Sequence, residues 1–214
     1  MTDDPKLFDI IFSTRAMRRL KPDPVAPELI EQILRAGQAA PNGGNTQQWG
    51  FVVVDDPAIK KQVQVYYQRA YDEFVGGYYA QHKAAVPEGP ARDKMERQQA
   101  AVVHLTHHIH EAPVWIVACI EEAGAPTRWS GASIYPAVQN MLLAARALGL
   151  GATLTTRHLL FEKETEAALG LPPGVHSYAI LPIGYPMGHF GPVGRGPLKD
   201  IVYEDHWGSP YKEL

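Results

Sequence analysis

Residues 40–49 of the chain are Ala-Pro-Asn-Gly-Gly-Asn-Thr-Gln-Gln-Trp. Pro41 closes the helical pattern that precedes it, and two glycines between asparagines favour positive φ angles. These residues therefore predict a polar loop, because neither a helix nor a strand continues through them. The apolar run from Phe51 to Val54 follows directly and predicts a buried strand.

The chain before this loop predicts a helix that begins at Pro27 and runs towards Gly37. Proline suits the first helical position, because its missing N–H has no partner there in any helix. One side of this helix is apolar and faces the core, at Leu29, Ile30, Ile33 and Leu34.

The same patterns divide the rest of the chain into helices and strands. Helices are predicted over 5–12, 57–80, 133–148 and 162–169, and strands over 112–120, 152–156 and 178–185. Residues 81–100 are rich in charge and contain two prolines, which predicts an exposed segment between two helices. Pro136 is placed in the first turn of its helix, where proline is tolerated. After residue 185, glycine and proline predominate and predict an extended arm over 186–214.

Aromatic residues recur on one side of the predicted helix 57–80, at Tyr67, Tyr71, Phe74 and Tyr78. Such a stripe fits core packing, and it also fits a wall that lines a substrate site. From their position and composition, Tyr71 and Phe74 are the candidate substrate-lining residues.

A basic segment near the start contains Arg15, Arg18 and Arg19, with Lys21 beside them. Guanidinium groups bind phosphate oxygens through paired hydrogen bonds, so this segment is a candidate phosphate site. A solvated basic patch is the alternative interpretation of this segment alone. The formal net charge of −3 gives no general attraction to nucleic acid or to anionic membranes. Any anion site is therefore local.

Four ordered blocks of the chain resemble the FMN-dependent nitroreductase family. They are the arginine-rich segment, the loop at 40–49, the run from Tyr135 to Gly151, and Gly-Arg-Gly-Pro-Leu at 194–198. Thr14 and Ala16 stand where many relatives have arginine and serine. In the loop, Asn42 and Gln48 replace the usual serine and proline.

The resemblance implies two sets of residues around the flavin phosphate and ribityl chain. The phosphate would be bound by Arg195 together with Arg15, Arg18 or Arg19. The ribityl chain and the ring edge would be hydrogen-bonded by Asn45 and Gln47.

The resemblance also implies two segments beside the flavin ring. The flavin of the other subunit would be approached by Pro41, Asn42 and Gly43. The pyrimidine side would be passed by Leu154, Thr155 and Thr156, where a backbone N–H would donate to the flavin N5 or O4.

The fold implied by the resemblance is α+β, with a central, mostly antiparallel sheet flanked by helices. Residues 1–214 would form one domain of a homodimer, with the arm 186–214 swapped onto the partner subunit. The implied activity is FMN-dependent reduction of nitroaromatics, quinones or similar electron-poor acceptors by NADH or NADPH, with ping-pong kinetics. The chemistry would occur on the flavin ring, so no catalytic side chain is expected.

Two alternatives to this activity stay open. Another flavin reaction on the same scaffold is the nearer one, namely reductive dehalogenation, enone reduction or the oxidative breakdown of FMN. A non-catalytic flavin-binding or anion-binding protein is the more distant one, and only the basic segment supports it.

Other motifs point to no further chemistry. His104 and His108 have the spacing of a metal-binding pair, but apart from Glu111 no third ligand stands at a recognised spacing, so no metal site is expected. Cys119 lies in an apolar run and is expected to be a buried thiol. The chain has no P-loop lysine, no Rossmann fingerprint and no Gly-x-Ser-x-Gly elbow.

Composition and length give further expectations. The 214 residues are 45% hydrophobic and 20% charged, as in an ordinary globular protein. The longest apolar stretch, Ala112 to Ile120, is too short to span a bilayer. The start, MTDDPKLFD, lacks the pattern of a secretory signal. The expectation is a cytoplasmic protein that binds a small-molecule acceptor, without a membrane or nucleic acid as partner.

Overall fold

The computed structural model describes residues 6–213. Its helices are α1 (Leu7–Ser13), α2 (Pro27–Gln38), α3 (Pro57–Ala70), α4 (Gly76–Ala85), α5 (Pro90–His108), α6 (Arg128–Ala147) and α7 (Glu162–Ala168). Its strands are β1 (Trp49–Val54), β2 (Val114–Glu121), β3 (Gly151–Ala152) and β4 (Val175–Gly184). A π-helical turn, Tyr71–Val75, joins α3 to α4. The predicted start of the first helix at residue 5 lies outside the described residues.

The four strands form one antiparallel sheet in the order β1-β2-β4-β3. In the register of the two central strands, Val114 lies opposite Ile183 and Ala118 lies opposite Ala179. A β-bulge follows between Ala118 and Cys119. The predicted α+β fold with a central antiparallel sheet is therefore confirmed.

Strand β2 is buried on both of its faces. Ile116 and Ala118 belong to the hydrophobic cluster formed with α2 and α6. Trp115, Val117 and Cys119 belong to the cluster on the opposite face, which includes residues of α3 and α5. Successive side chains of a strand point to opposite faces, so a continuous apolar run is what a sheet covered on both sides requires.

The segment 81–100 is exposed as expected, but it is helical rather than irregular, so that part of the prediction is wrong. Helix α4 continues to Ala85 and α5 begins at Pro90, which leaves only four residues between them. Gly89, with a φ of 136°, makes the turn. Pro90 then occupies the first helical position, where proline favours a helix start.

Helix α6 begins earlier than the sequence predicts, so Pro136 lies inside the helix and not in its first turn. The start is set by Thr127, whose Oγ1 accepts a hydrogen bond of 3.1 Å from the Ser130 N–H. Because Pro136 has no N–H, the carbonyl of Ala132 lacks its usual helical donor.

No helix within residues 6–213 combines the length and the apolar composition that crossing a membrane requires.

His158 is the most deeply buried histidine of the described residues. Its side chain is fully buried, and neither ring nitrogen has a hydrogen-bond partner between residues 6 and 213. Burial disfavours the imidazolium, which lowers the pKa of His158 to about 4. The folded protein therefore holds this imidazole neutral through most of the range in which an exposed histidine becomes protonated.

We predict that His158 makes the fold sensitive to acid. An unfolded chain binds the His158 proton near pH 6.5 but the folded chain only near pH 4, so the free energy of unfolding falls as pH drops through this window. The full loss is about 3 kcal/mol. Urea unfolding at pH 7 and pH 5 should show a smaller difference for His158→Leu than for the wild type. The exposed His189 provides the control, since His189→Leu should leave the difference unchanged; an equal effect of both variants would contradict the prediction.

Candidate functional site

The basic segment lies along the edge of the sheet next to β3. The Met17 N–H donates to the Ala152 carbonyl at 3.0 Å, and the Lys21 N–H donates to the Tyr185 carbonyl at 2.8 Å. Leu20 forms an isolated antiparallel bridge with Pro186. These main-chain bonds fix the positions of the arginines between and beside them.

One cavity, here called the basic cavity, has a volume of about 520 Å³ and lies beside this segment. Its lining contains four arginines, namely Arg15, Arg18, Arg146 and Arg195. No carboxylate of the described residues lines it, and within residues 6–213 none of the four forms an ion pair. The cavity is therefore a local concentration of positive charge that suits an anion.

The structure brings Arg15, Arg18 and Arg195 together, although Arg195 is far from the other two in sequence. It also adds Arg146 of α6, which the sequence analysis missed. The Arg146 Nε donates to Ser13 Oγ at 3.0 Å, and the guanidinium lies 4.1 Å from the centre of the Phe190 ring. The available signal was a single charge at Arg146, directly after the apolar run from Met141 to Ala145.

Arg19 does not line the basic cavity. Its carbonyl accepts a hydrogen bond of 3.0 Å from the Met187 N–H. Burial lowers the pKa of His104 on α5, and the positive charge of Arg19 lowers it further. Of the three arginines near the start, Arg15 and Arg18 are thus the two beside the cavity.

The loop at 40–49 lines a different cavity, here called the loop cavity, with a volume of about 650 Å³. Pro41, Asn42 and Gly43 line it together with the first turns of α6, but Asn45 and Gln47 do not. The Gly43 N–H donates to Ser133 Oγ at 3.1 Å. Within one chain, the loop residues therefore do not line the basic cavity.

The loop is held in a strained conformation. Asn45 and Gln47 have φ values of 54° and 52°, in the left-handed region that costs energy for residues with a side chain. The Asn42 Oδ1 accepts a hydrogen bond of 2.9 Å from the Gln47 N–H and stabilises the turn. Asn42 thus supplies a structural acceptor.

The predicted strand 152–156 is shorter in the structure, because only Gly151–Ala152 pairs regularly with β4. Thr155 forms an isolated bridge, in which its N–H donates to the Ile180 carbonyl at 3.0 Å. In this segment the N–H groups of Leu154 and Thr156 donate to no group among residues 6–213. Both N–H groups are therefore open to a ligand.

A third cavity, here called the Arg157 pocket, has a volume of about 500 Å³. It is lined by Val75, Tyr79, Leu154, Thr155, Thr156, Arg157, Leu159 and Leu160. Leu154 also lines the basic cavity, so the two cavities adjoin. The Tyr67 hydroxyl is hydrogen-bonded at 2.8 Å to Oγ1 of Thr155, a lining residue of the Arg157 pocket.

The candidate substrate-lining residues lie on the π-helical turn beside this pocket. The Tyr71 ring centre lies 5.2 Å from the Arg157 guanidinium carbon. Phe74 is exposed and its ring packs edge-on against Phe161, with 6.2 Å between the ring centres. The lining side chains of this turn and of α4 are Val75 and Tyr79, which the sequence analysis did not single out. The roles of Tyr71 and Phe74 stay predictions.

The histidines of α5 pack against each other and against Glu111, and the single cysteine is buried. The rings of His104 and His108 stack with 4.4 Å between their centres, and His108 Nδ1 lies 2.9 Å from Glu111 Oε1. Burial raises the pKa of Cys119 to about 12, so its thiol stays protonated.

Three potential metal ligands of the described chain do lie together, namely Glu162, Glu166 and His176, with ligand atoms within 4.8 Å of one another. Glu166 Oε1 already accepts hydrogen bonds from the Ser177 N–H at 2.7 Å and the Ser177 hydroxyl at 3.1 Å. This cluster ties α7 to β4. The expectation of no metal site stays a prediction.

Comparison with known proteins identifies the family. The sequence profile of the nitroreductase family matches residues 11–185. The chain therefore belongs to the nitroreductase family, whose members include oxidoreductases.

Curated relatives in this family carry several names. The chain is 32% identical over 201 residues to an NADH dehydrogenase of Thermus thermophilus, with 88% of this chain and 90% of the relative covered. It is 30% identical over 189 residues to a 5,6-dimethylbenzimidazole synthase of Rhodospirillum rubrum, with 84% and 82% covered. It is 27% identical over 202 residues to an iodotyrosine deiodinase of Daphnia pulex, covering 88% of this chain but only 62% of the relative.

Solved structures share the fold. An iodotyrosine deiodinase bound to FMN and 3-iodo-L-tyrosine superposes with a TM-score of 0.69 at 24% identity, with 94% of this chain and 99% of that chain covered. A nitroreductase with bound FMN from Bacteroides fragilis has a TM-score of 0.68 at 18% identity, with 94% and 99% covered. FMN is thus bound by neighbours that have the same fold.

We predict that Gly151 is needed for the basic segment to reach the sheet edge. A Cβ at this position would lie 2.8 Å from Leu20 Cδ2 and 2.9 Å from Met17 Cβ. Gly151→Ala should therefore lower the free energy of unfolding by about 1–3 kcal/mol, measured by urea titration. Gly50 of β1 is the matched control, because a Cβ there meets nothing within 4 Å. Equal stability of the two alanine variants would contradict the prediction.

Proposed function

We propose that the chain is an FMN-dependent oxidoreductase that uses NADH or NADPH to reduce small electron-poor acceptors such as nitroaromatics and quinones. The basic cavity is the observation that carries this proposal. Four guanidinium groups line it, and it reaches Leu154 at the start of the segment that carries unused N–H donors.

The residues of the basic cavity fit a flavin mononucleotide. Arg15, Arg18 and Arg195 present the planar donors that bind phosphate through paired hydrogen bonds, and Arg146 adds a fourth positive charge. The rest of the lining is largely apolar, with Leu142 and Leu150 among its residues, and apolar surface suits a flat ring. Phosphate donors and apolar surface in one cavity are the combination that this cofactor requires.

Bound FMN would supply the redox chemistry by accepting a hydride from the nicotinamide and passing the electrons to the acceptor. The chain has three tasks in this scheme. Its arginines would hold the phosphate, and the N–H of Leu154 or Thr156 would donate to the edge of the ring. The residues of the Arg157 pocket receive the nicotinamide and, after it leaves, the acceptor, so the kinetics are ping-pong.

We further propose that the functional unit is a homodimer, with each chain folded as one domain over 1–214 and the arm 186–214 packed on the partner. The loop cavity and the basic cavity share no lining residue. Pro41, Asn42 and Gly43 would therefore approach the flavin held by the second copy, while Asn45 and Gln47 would contact the ribityl chain and ring edge.

Exposed apolar surface supports this dimer. Helix α1 has no buried residue, and its Phe8 and Phe12 are 65% and 61% exposed. In the arm, Ile201 and Trp207 are 69% and 90% exposed. Soluble monomers rarely expose this much large apolar surface within short segments, because burying it is favourable.

The test is a spectrum of the purified protein before and after addition of NADH or NADPH. We expect yellow protein whose visible absorption is lost on addition of the reductant and restored by a nitrofuran or a quinone, with the flavin chemically intact after many turnovers. Sedimentation should give the mass of two chains. The flavin spectrum is expected because one chain supplies the phosphate site. The dimer mass is expected because a second chain supplies the loop.

Other results would contradict these proposals. Colourless protein that does not take up added FMN at low salt would exclude the cofactor. Bound flavin that neither NADH nor NADPH reduces would indicate a non-catalytic flavin-binding protein. Release of halide, reduction of an enone, or loss of FMN itself, each without turnover of nitro or quinone compounds, would establish another reaction on the scaffold. A monomer that retains FMN tightly would contradict the dimer.

A further inference from the structure

The Arg157 pocket contains one formally charged side chain. Its lining is otherwise apolar or uncharged, with Val75, Leu154 and Leu160 as apolar residues and Thr156 and Tyr79 as hydroxyl groups. No carboxylate of the described residues lines the pocket. A ligand that fills it therefore meets apolar side chains, a few hydroxyl groups and a single positive charge.

Most donors of Arg157 are unused by the chain. A guanidinium has five N–H donors. The structure shows one protein hydrogen bond for Arg157, from its Nη1 to Thr106 Oγ1. In the part of the chain that the structure describes, Arg157 forms no ion pair with a carboxylate. A partly buried guanidinium without an anionic partner is favourable only where a ligand or water supplies the acceptors.

The position of Arg157 is fixed by its neighbours. Its guanidinium carbon lies 4.5 Å from the centre of the Tyr67 ring on α3 and 5.2 Å from that of Tyr71 on the π-helical turn. Thr106 holds it from α5, and Thr106 is itself fully buried. The Arg157 guanidinium is therefore held in place before a ligand binds, which reduces the entropy lost on binding.

We propose that Arg157 selects acceptors that carry a carboxylate, so that the preferred substrates are electron-poor aromatic or similarly flat compounds with one negative charge. This inference rests on the proposed function, because it assigns the acceptor class of the same site. A carboxylate fits because its two oxygens accept from the planar guanidinium in a paired arrangement. The apolar lining receives the body of the compound, and Thr155 and Thr156 lie beside it.

The test compares 4-nitrobenzoate with 4-nitrobenzamide, which share the ring and the nitro group but differ in charge. The wild type should have the higher kcat/KM for the benzoate. In Arg157→Gln, the ratio of the two kcat/KM values should fall about 10- to 100-fold, mainly through the KM of the benzoate. Arg157→Lys keeps the positive charge but not the planar set of donors. Its ratio should therefore lie between those of the wild type and Arg157→Gln.

A matched control is Arg69→Gln. Arg69 lies on α3 with its guanidinium 4.4 Å from the Phe161 ring centre, but it pairs with Glu73 at 3.1 Å and does not line the pocket. This variant should keep the wild-type ratio. Thermal unfolding of all variants shows whether each is folded under the assay conditions.

A second readout does not depend on turnover. Calorimetric titration of the purified protein with 4-nitrobenzoate should show binding that weakens about 10- to 100-fold in Arg157→Gln and is unchanged in Arg69→Gln. If nitro compounds are not reduced at all, the proposed function fails, and this titration still decides whether Arg157 binds a carboxylate. Equal affinity of wild type and Arg157→Gln, or a wild type that does not prefer the benzoate, would overturn the inference.

Discussion

The attachment of residues 17–21 to the edge of the sheet is the interaction on which the candidate site depends. Met17 and Lys21 bond through their main chains to Ala152 and Tyr185, while Leu20 bridges to Pro186. Glycine at 151 leaves the space for this approach. The same bonds bring the start of the chain, the end of α6 and the start of the arm together, so that arginines distant in sequence line one cavity.

The sheet explains why this attachment is possible. Because β2 is buried on both faces, helices cover the sheet on both sides and leave its edges as places where further chain can bond. At the β3 edge, regular pairing ends after Ala152, and the chain continues to the bridge at Thr155. Because the N–H groups of an edge strand bond to its neighbour only at alternate residues, the bond at Thr155 leaves those of Leu154 and Thr156 without a partner among residues 6–213.

Local patterns in the sequence predict the parts of the fold that depend on neighbouring residues. The apolar run at 112–120, the amphipathic helix after Pro27 and the glycines at 43–44 each determine their own conformation. Pro136 was placed wrongly, because the start of α6 depends on Thr127 as a cap rather than on the apolar periodicity. The helical character of 81–100 was missed because charge on an exposed helix resembles charge in a loop.

The site was predictable only where a motif identifies a residue. Arg15, Arg18 and Arg195 could be selected from basic composition and family resemblance, but Arg146 and Arg157 could not, because their roles depend on which elements meet. Arg19 is adjacent to Arg18 in sequence, yet only Arg18 lines the basic cavity. The separation of the loop cavity from the basic cavity, which share no lining residue, likewise depends on the tertiary structure.

In the proposed function, arginines from both ends of the chain bind the phosphate of a flavin mononucleotide. The most direct measurement compares the dissociation constants of FMN and riboflavin, which differ only in that phosphate, for the wild type and for Arg18→Gln. We expect that the wild type binds FMN tighter by about 100-fold or more and that Arg18→Gln reduces this preference about 10-fold. The exposed Arg35, which pairs with Glu31 at 2.6 Å, supplies an Arg35→Gln control that keeps the preference. Equal affinity of the wild type for FMN and riboflavin would contradict the account.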